Sequence, residues 1–386
     1  MTSPIVFLSY SHEDLEAAVE LAAEIRARGL RTWQDTKAMR LGEKFEAQLR
    51  EGIDSADGVV FYTTPNSLRS EWVKRVEVPH AKRQTPSFKL MPVFHGFRDF
   101  DVARIACIES LGFDLTEYYS YRRSGVSLDP AEAASYVLRS FFEPNGDGTR
   151  EVLNLGLHGR QVGPGDRDLD IDLTEWLGDE PGTEADWERI WIALLDLSDT
   201  VSRWSSCRRI HVTGVAHLSA AFALGMAFPA PSRFQFSVEQ GGSVWNQDSD
   251  RAHEMVLRTD WGDLKGRVIT VEVSVSRDVR ADVDSYLQGL RISPRARLQV
   301  SSIGSPGRDS LNGASASTLA NDIVGHINAL RAELQATEVM FFLACPMALA
   351  LFLGASVNAM GSSVRIHEFD QGLYHQSLVV HSGRAR

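Results

Sequence analysis

The chain has 386 residues, of which 43% are hydrophobic and 24% are charged, proportions that are typical of a globular protein with two or three domains. Its net charge of -11 and pI near 5.5 argue against a groove for long DNA or RNA, but are compatible with a compact phosphate ligand. The three distant cysteines, Cys107, Cys207 and Cys345, predict neither a disulfide framework nor a zinc site, and indicate a reducing cytoplasm.

No targeting or membrane segment is predicted. The opening MTSPIVFLSYSHED turns acidic where the apolar core of a signal peptide should continue. The longest apolar run, VMFFLACPMALALFLGA at 339–355, approaches the length of a membrane span, but Pro346 interrupts it. We therefore expect a strand followed by a buried helix in this run, and no contact with a membrane.

Strand and helix patterns alternate through the first 142 residues. Strands are predicted at 5–11, 30–35, 57–63 and 89–97, and helices at 12–29, 43–56, from residue 70 onward and at 129–142. Such alternation predicts a parallel sheet with right-handed crossovers, in which ligands bind outside the carboxyl ends of the strands. The ends of the first two strands and the start of the helix after the third should border that crevice.

The stretch SEWVKRVEVPHAKRQ, residues 70–84, contains an unusually placed glutamate. Val73, Val76 and His80 recur at helical spacing and should face the core, whereas Glu77 lies off that stripe at a partly exposed position near the crevice. Two interpretations remain open from this stretch alone. Glu77 pairs with Lys74 across one turn, which is worth a few tenths of a kcal/mol, or it is a carboxylate at the rim of a cleft that takes part in chemistry.

Residues 143–150, EPNGDGTR, have the composition of a linker. We place a domain boundary there, between a domain at 4–142 and the remainder at 151–386. The remainder contains a loose internal repeat, with copies at about 151–250 and 265–380.

Each copy of the repeat shows the same order of elements: a strand that runs into a Pro-Gly turn, a long amphipathic helix, a strand, a helix of small residues, and a strand that ends in a Gln-Gly turn. The paired segments are 153–168 with 297–310, 185–204 with 317–334, 209–215 with 338–344, 216–228 with 345–357, and 234–242 with 364–372. The agreement in order and spacing predicts a duplicated α/β unit. Chance similarity among generic βαβ patterns is the alternative.

A ligand with internal near-symmetry should bind across the two copies, at the carboxyl ends of their strands. Backbone N–H groups at the starts of the two small-residue helices can hold phosphates, and aromatic rings and the turns can complete the pocket. The candidate ligand-binding residues are His217, Leu218, Ser219, Trp245, Gly307, Arg308, Cys345, Pro346, Met347, Gln371 and Tyr374. For the interiors of these helices, plain core packing is the alternative.

Several motifs occur in an order that closely resembles a TIR domain over about residues 4–142. They are FLSYS with Asp14 downstream, Trp33-Gln34-Asp35, Gly42, the strand VVFYT, and SEW followed by a glutamate. The resemblance implies a flavodoxin-like fold with a parallel sheet. In TIR domains that cleave nicotinamide dinucleotides one glutamate on the helix after the third strand is catalytic, and here that role falls on Glu77. The family usually separates its tryptophan and glutamate by three residues, whereas four separate Trp72 from Glu77.

The resemblance also implies a substrate site and a docking loop. Candidates to bind NAD+ are Ser9, Tyr10, Trp33, Asp35 and Trp72. Tyr10 and Trp33 could instead be packing aromatics, and Asp35 a turn former. The loop 36–42, with Lys37, Met39, Arg40, Leu41 and Gly42, is the segment that docks against a neighbouring TIR domain in the family.

The physical chemistry of the reaction agrees with a single essential carboxylate. Nicotinamide is already a cationic leaving group, so no general acid is needed to expel it. One carboxylate can stabilise the positive charge that develops on the ribose. The sequence accordingly predicts no metal site and no cofactor, with NAD+ as the substrate.

The architecture and duplication of the second half resemble a SAVED domain, in which two fused Rossmann-like CARF units bind a cyclic oligonucleotide. A TIR domain followed by a SAVED domain resembles the CBASS-type effectors of bacterial antiphage signalling, which deplete NAD+ when a linked nucleotide cyclase makes the second messenger. The resemblance favours a cyclic trinucleotide, of adenylate, as the activator. It implies that the ligand lines up TIR domains in a homo-oligomer or filament, and a ligand-driven hinge within one chain is the alternative.

Two other functions remain open from the sequence. One is a non-catalytic TIR scaffold that recruits partners, in which Glu77 belongs to a solvated face. The other makes the C-terminal half an enzyme that degrades its own cyclic nucleotide, with His217, His367 and His375 as candidates, although no two of them show a recognisable catalytic spacing.

Overall fold

The computed structural model describes residues 3–33, 45–84, 88–118, 121, 128–142, 151–163, 165–178, 181–228, 232–263, 266–302, 311–357 and 363–381. The chain divides into two compact units. The first comprises Met1–Gly148, Gly165–Asp172 and Asp199–Ser205, and the second comprises Thr149–Pro164, Leu173–Ser198 and Ser206–Arg386. The predicted linker and the loop 36–42 lie outside the described residues.

The first unit is built on a parallel sheet, as the sequence predicted. Its strands are β1 (Ile5–Ser9), β2 (Arg31–Trp33), β3 (Gly58–Thr63) and β4 (Lys89–Phe94), in the order β2-β1-β3-β4. Its helices are α1 (Leu15–Ala27), α2 (Phe45–Asp54), α3 (Val78–Ala81), α4 (Phe100–Leu111) and α5 (Pro130–Phe142). Every residue of β3 is buried, which is expected of a central strand covered by helices on both faces.

The core of this unit joins the sheet to the segment that follows β3. Phe7, Val59 and Phe61 of the strands form one buried cluster with Leu49 and Ile53 of α2. The segment after β3 adds Val73, Val76, Val78 and Ala81 to the same cluster. The stretch that carries Glu77 is therefore anchored in the core rather than laid over the surface.

The remaining elements follow in chain order. The strands are β5 (Val152–His158), β6 (Leu169–Asp172, within the first unit), β7 (Arg209–Thr213), β8 (Gln235–Gln240), β9 (Ser243–Asn246), β10 (Met255–Trp261), β11 (Val268–Ser274), β12 (Ala296–Ser302), β13 (Glu338–Ala344), β14 (Ser363–Asp370) and β15 (Leu373–Val380). The helices are α6 (Thr174–Leu177), α7 (Glu184–Trp204), α8 (Leu218–Ala227), α9 (Arg280–Leu290), α10 (Gly313–Leu334) and α11 (Met347–Val357).

The duplication is visible in the strand order and register. β5, β7, β8 and β9 are adjacent in that order, and a second sheet has the order β10-β12-β11-β13-β14-β15. β5 pairs with β7 through Val152 and Arg209, and β11 pairs with β13 through Val268 and Glu338, both in parallel. In each copy the next strand is also parallel and the last one antiparallel. The predicted duplicated Rossmann-like fold is thus confirmed.

The sequence alignment of the two copies was wrong at its first element. It matched 153–168 with 297–310, which places β5 opposite β12. The strand that takes the position of β5 beside its partner is β11. The misalignment arose because similar Pro-Gly sequences follow strands that are not equivalent in the two sheets.

Helices α8 and α11 cross at two glycines, which are equivalent in the two copies. A Cβ atom on Gly225 would lie 2.1 Å from Leu351 O, and one on Gly354 would lie 2.0 Å from Phe222 O. The backbones of the two helices are therefore in direct contact. The apolar run at 339–355 forms β13 and the buried helix α11, as predicted, and among the described helices none is long and apolar enough to cross a membrane.

Buried His367 on β14 should make stability depend on pH. Its Nδ1 lies 3.1 Å from Phe341 O, its ring stacks on Phe342 with centroids 4.3 Å apart, and burial lowers the pKa of His367 to about 4. In the unfolded chain the pKa returns to about 6.5, so protonation favours unfolding as the pH falls from about 6.5 to about 4, by up to roughly 3 kcal/mol. We expect His367→Asn to reduce this acid sensitivity in urea unfolding between pH 5 and 8. An equal dependence of the free energy of unfolding on pH in the wild type and His367→Asn would contradict this prediction.

Candidate functional site

A single π-helical turn positions Glu77. Residues Val73–Glu77 form this turn, in which the N–H of Val78 donates to the carbonyl of Val73, five residues back. A π turn holds one residue more than an α turn, so it accommodates the additional residue between Trp72 and Glu77. Such insertions often occur at functional sites. The unusual spacing is therefore absorbed by the local backbone.

The Glu77 side chain turns inward and meets the end of β1. Ser9, the last residue of β1, donates a hydrogen bond from Oγ to Glu77 Oε2. Ser9 is 1% exposed and Glu77 is 6% exposed, so the expectation of a partly exposed glutamate was wrong. The added residue of the π turn rotates Glu77 toward the core. Lys74, the alternative partner, has its Nζ 2.6 Å from Glu71 Oε1.

The predicted core position of His80 was also wrong, because the added residue of the π turn changes the direction in which the following side chains leave the helix. Its side chain is partly exposed at the surface of the unit, with Nε2 2.7 Å from Asp54 Oδ1. Gln84 donates to the same carboxylate oxygen at 2.7 Å. These contacts tie the end of α2 to the segment that carries Glu77.

The candidate aromatic residues differ in their solvent exposure. Trp33 stacks on Phe7 with centroids 4.8 Å apart, and a Cβ on Gly52 would lie 2.6 Å from its Cε2. Tyr10 is buried, whereas Trp72 is 44% exposed and meets Phe45 edge-on. The packing interpretation thus suits Trp33 and Tyr10, and Trp72 has a surface available to a substrate. Asp35 lies outside the described residues, as do the loop residues Lys37, Met39, Arg40, Leu41 and Gly42.

Asp14 connects the two loops at the carboxyl end of the sheet. Thr64 Oγ1 donates to Asp14 Oδ2 at 2.6 Å, and Asn66 Nδ2 donates to Asp14 Oδ1 at 2.9 Å. Asp14 follows β1 and the other two follow β3, so the contact fixes the loop after Ser9. Sequence reasoning noted Asp14 in the motif but missed Thr64 and Asn66, whose only signal was their position after a buried strand.

In the second unit, side chains occupy both of the predicted phosphate-binding helix starts. The N–H of Ser219, at the start of α8, donates to Glu368 Oε2 at 3.0 Å. The N–H of Ala348, at the start of α11, donates to Gln240 Oε1 at 3.3 Å. Ser219 is fully buried, and its Oγ accepts a hydrogen bond from Ser377 Oγ. No sequence pattern indicated Glu368 or Gln240 in these roles.

Several buried polar atoms lie around these helix starts. His217 Nδ1, Asp370 Oδ2 and Tyr374 Oη are each buried without a hydrogen-bond partner among the described residues. Burial and the charge of Arg160 lower the pKa of His217. The His217 ring also packs closely on Gly159, where a Cβ atom would lie 2.6 Å from His217 Nδ1. Buried polar atoms are normally paired, so this group is suited to a polar ligand.

The other predicted ligand residues are distributed differently. Cys345 and Met347 are buried around the start of α11, with Leu218 and Pro346 partly exposed. Trp245 packs over Gly313, and Tyr374 packs against Phe342 and Phe369, so neither ring has a face open for stacking. Gln371 is exposed in a turn with φ of 47°. Gly307 and Arg308 lie outside the described residues.

Among the three candidate histidines, His367 is buried in the core and His375 is partly exposed on β15. Within the described part of the chain, no group of three or more His, Cys, Asp or Glu side chains could hold a metal ion. The C-terminal half thus presents a candidate binding site, whereas the carboxylate suited to chemistry lies in the first unit.

Two family models match the chain in succession. The TIR domain model matches residues 6–120. The SAVED model, described as "SMODS-associated and fused to various effectors sensor domain", matches residues 196–380. The chain therefore consists of a TIR domain followed by a SAVED domain.

Similarity to curated proteins is distant. CD-NTase-associated protein 4 of Moraxella osloensis is 21% identical over 213 residues, which are 54% of this chain and 44% of that protein. The NAD(+) hydrolase TcpA of a Theionarchaea archaeon is 28% identical over 105 residues, which are 27% of this chain and 32% of that protein. The chain matches less than half the length of these relatives.

A solved structure shares the fold. The Acinetobacter baumannii Cap4 SAVED/CARF-domain containing receptor with the cyclic trinucleotide 3′3′3′-cAAA has a TM-score of 0.51 and 13% identity, over 89% of this chain and 86% of that chain. The same receptor with 2′3′3′-cAAA matches equally well. The order of the two domains and the CD-NTase-associated relatives support the predicted TIR–SAVED effector of the CBASS type.

Proposed function

We propose that the chain is an NAD+ hydrolase that a cyclic trinucleotide switches on. The observation that carries this proposal is the Glu77 carboxylate, held by Ser9 Oγ at the carboxyl end of β1 in a TIR domain. The distant NAD(+) hydrolase TcpA gives support from similarity. We place the activity in the cytoplasm, and NAD+ is its substrate rather than a cofactor.

The arrangement suits cleavage of the bond between nicotinamide and ribose. The bond breaks with its electron pair on nicotinamide, and positive charge develops on the ribose. Glu77 stabilises that charge, and its hydrogen bond from Ser9 fixes the carboxylate before the substrate arrives. Water adds to the anomeric carbon and loses a proton to solvent, which gives ADP-ribose. The exposed face of Trp72 is the surface offered to a substrate ring.

The second part of the proposal concerns the activator. Among the described residues, His217 Nδ1, Asp370 Oδ2 and Tyr374 Oη have no hydrogen-bond partner, and they lie near the carboxyl ends of β7 and β14, the edge at which ligands of parallel sheets commonly bind. The receptor of the same fold was solved with 3′3′3′-cAAA and with 2′3′3′-cAAA, so we propose a cyclic triadenylate made by a linked nucleotide cyclase. Depletion of NAD+ would then act in defence against phage.

One assay separates this function from the alternatives. Purified protein is incubated with NAD+, with and without 3′3′3′-cAAA or 2′3′3′-cAAA, and both nucleotides are followed. Consumption of NAD+ only with the cyclic nucleotide supports the proposal. Intact NAD+ in every case would favour a TIR scaffold, and loss of the cyclic nucleotide would place an enzyme in the C-terminal half.

We also propose that the ligand acts through assembly. A neighbouring TIR domain would complete the NAD+ site, with the loop 36–42 closing over it, in a homo-oligomer or filament. Specific activity at saturating ligand should then collapse on dilution and in Lys37→Glu or Arg40→Glu variants. Mass and NAD+ cleavage are measured together over a dilution series. A ligand-bound monomer that cleaves NAD+ at full rate would replace assembly with a hinge within one chain.

A further inference from the structure

Glu368 and Gln240 occupy equivalent positions in register with β13 and β7, although Gln240 adjoins its hairpin turn and Glu368 is separated from its own by two residues. Gln240 lies five residues beyond Gln235, which pairs with Arg209 on β7. Glu368 lies five residues beyond Ser363, which pairs with Glu338 on β13. Each side chain accepts from the helix start of the opposite copy, so the contacts are crossed.

The two helix starts are also equivalent. In α8 the N–H groups of Ala220 and Ala221 both donate to His217 O, and in α11 those of Leu349 and Ala350 both donate to Pro346 O. The next N–H toward the helix start, at Ser219 or Ala348, is the one that donates to the opposite copy. The equivalence therefore covers both the donors and the acceptors.

The chemistry of the two acceptors differs. Gln240 supplies a neutral amide oxygen, whereas Glu368 supplies a carboxylate at the positive end of the ten-residue helix α8. A carboxylate at this place makes the interaction that a phosphate oxygen would make. Burial raises the pKa of Glu368, and the hydrogen bonds from Ser219 oppose that shift.

An independent feature supports a polar ligand at this place. His217, which directly precedes α8, is more than nine-tenths buried and keeps Nδ1 without a partner among the described residues. Asp370 Oδ2 and Tyr374 Oη, from the same end of the fold, are also buried and unpartnered within the described part of the chain. Glu368 thus caps the helix start, while these three polar atoms have no hydrogen-bond partner among the described residues.

We propose that Glu368 is a resident anion, which holds the start of α8 in place of a ligand phosphate and must be displaced when the activator binds. Displacement would break one of the two crossed contacts between the copies, so ligand binding would loosen their junction on one side. The inference rests on the ligand part of the proposed function. It adds that Glu368 opposes binding and so sets the activator concentration needed.

The test is a binding titration of the full chain by calorimetry, with 3′3′3′-cAAA, 2′3′3′-cAAA and inorganic phosphate as probes. We expect Glu368→Gln to bind a cyclic trinucleotide about tenfold more tightly, because a neutral cap is easier to displace and repels phosphate less. Gln240→Glu should bind about tenfold more weakly, since it adds a second resident anion. Amide exchange at Ser219 should change on ligand binding in the wild type.

Glu239→Gln is the matched control. It removes one negative charge beside Gln240, from an exposed position on β8, and leaves the contact between the Ser219 N–H and Glu368 in place. An equal gain in affinity from Glu239→Gln would show that charge alone is responsible and would overturn the proposal. Weaker or unchanged binding by Glu368→Gln would overturn it too, and would favour direct recognition of the ligand by Glu368.

The outcomes also separate this inference from the proposed function. Tight binding with the expected order of variants, but without NAD+ cleavage, would overturn the hydrolase and leave the role of Glu368 standing. NAD+ cleavage, with equal affinity of the wild type and Glu368→Gln for the cyclic trinucleotide, would support the hydrolase and overturn the role of Glu368. Failure of the wild type and Glu368→Gln to bind any of the three probes would overturn the role of Glu368 together with the proposed ligand.

Discussion

Glu77→Gln should abolish ligand-activated NAD+ cleavage while the TIR domain stays folded. The substitution removes the charge that stabilises the ribose cation, and loss of such a group typically costs on the order of 10²- to 10³-fold in rate. The amide oxygen of glutamine can still accept the hydrogen bond from Ser9 Oγ, so the buried position keeps a partner. The measurement is NAD+ consumption at saturating ligand, with thermal unfolding of the same sample as the test of folding.

Glu71→Gln provides the matched control for this variant. Glu71 lies on the same segment but is exposed and bridges Lys74 and Arg75, so its loss should change the rate less than about twofold. Ser9→Ala should fall between the two, because it leaves the charge of Glu77 but removes the donor that holds it. Full activity in Glu77→Gln would show that another residue carries the reaction.

The four strands of the first sheet and most of the long helices could be predicted because their patterns are local, whereas β6, β9, β10, β11 and β15 were missed. Buried runs such as 57–63 and 338–344 are strongly apolar, and the small-residue helices have clear boundaries. The local pattern also explains why helix α4 was missed. Ile105 and Ile108 on its outer face are 54% and 42% exposed, so its apolar residues do not follow one stripe.

The sequence leads to a candidate residue for the site but not to the environment of its side chain. The TIR motifs identify Glu77, yet its burial depends on a π turn, and no propensity in SEWVKRVE specifies one. The side chains that accept hydrogen bonds from the helix starts are even harder to predict from local sequence patterns. Ser219 and Glu368 are 149 residues apart in the chain, and only the packing of the two copies brings them together.

Gly354→Ala should destabilise the SAVED domain strongly. The new Cβ would lie 2.0 Å from the backbone oxygen of Phe222, far inside van der Waals contact, and a backbone atom cannot move aside as a flexible side chain can. Helices α8 and α11 would have to separate, and we expect a loss of about 3 kcal/mol or more. Gly225→Ala should behave alike, since its Cβ would lie 2.1 Å from Leu351 O. Urea unfolding of the full chain measures both effects.

Gly325→Ala is the control for the helix-glycine substitutions. Gly325 lies in α10, and among the described residues no atom outside its own stretch of helix lies within 4 Å of its Cβ position, so alanine should raise stability by about 0.5–1 kcal/mol through its better helix propensity. The double variant of Gly225 and Gly354 tests the geometry further. Once one Cβ has separated the helices, the second can be accommodated without a further clash. The double variant should therefore lose clearly less free energy of unfolding than the sum of the two single losses. Additive losses would mean that each glycine is needed for a separate local reason, and that the two copies of the fold do not share one backbone contact.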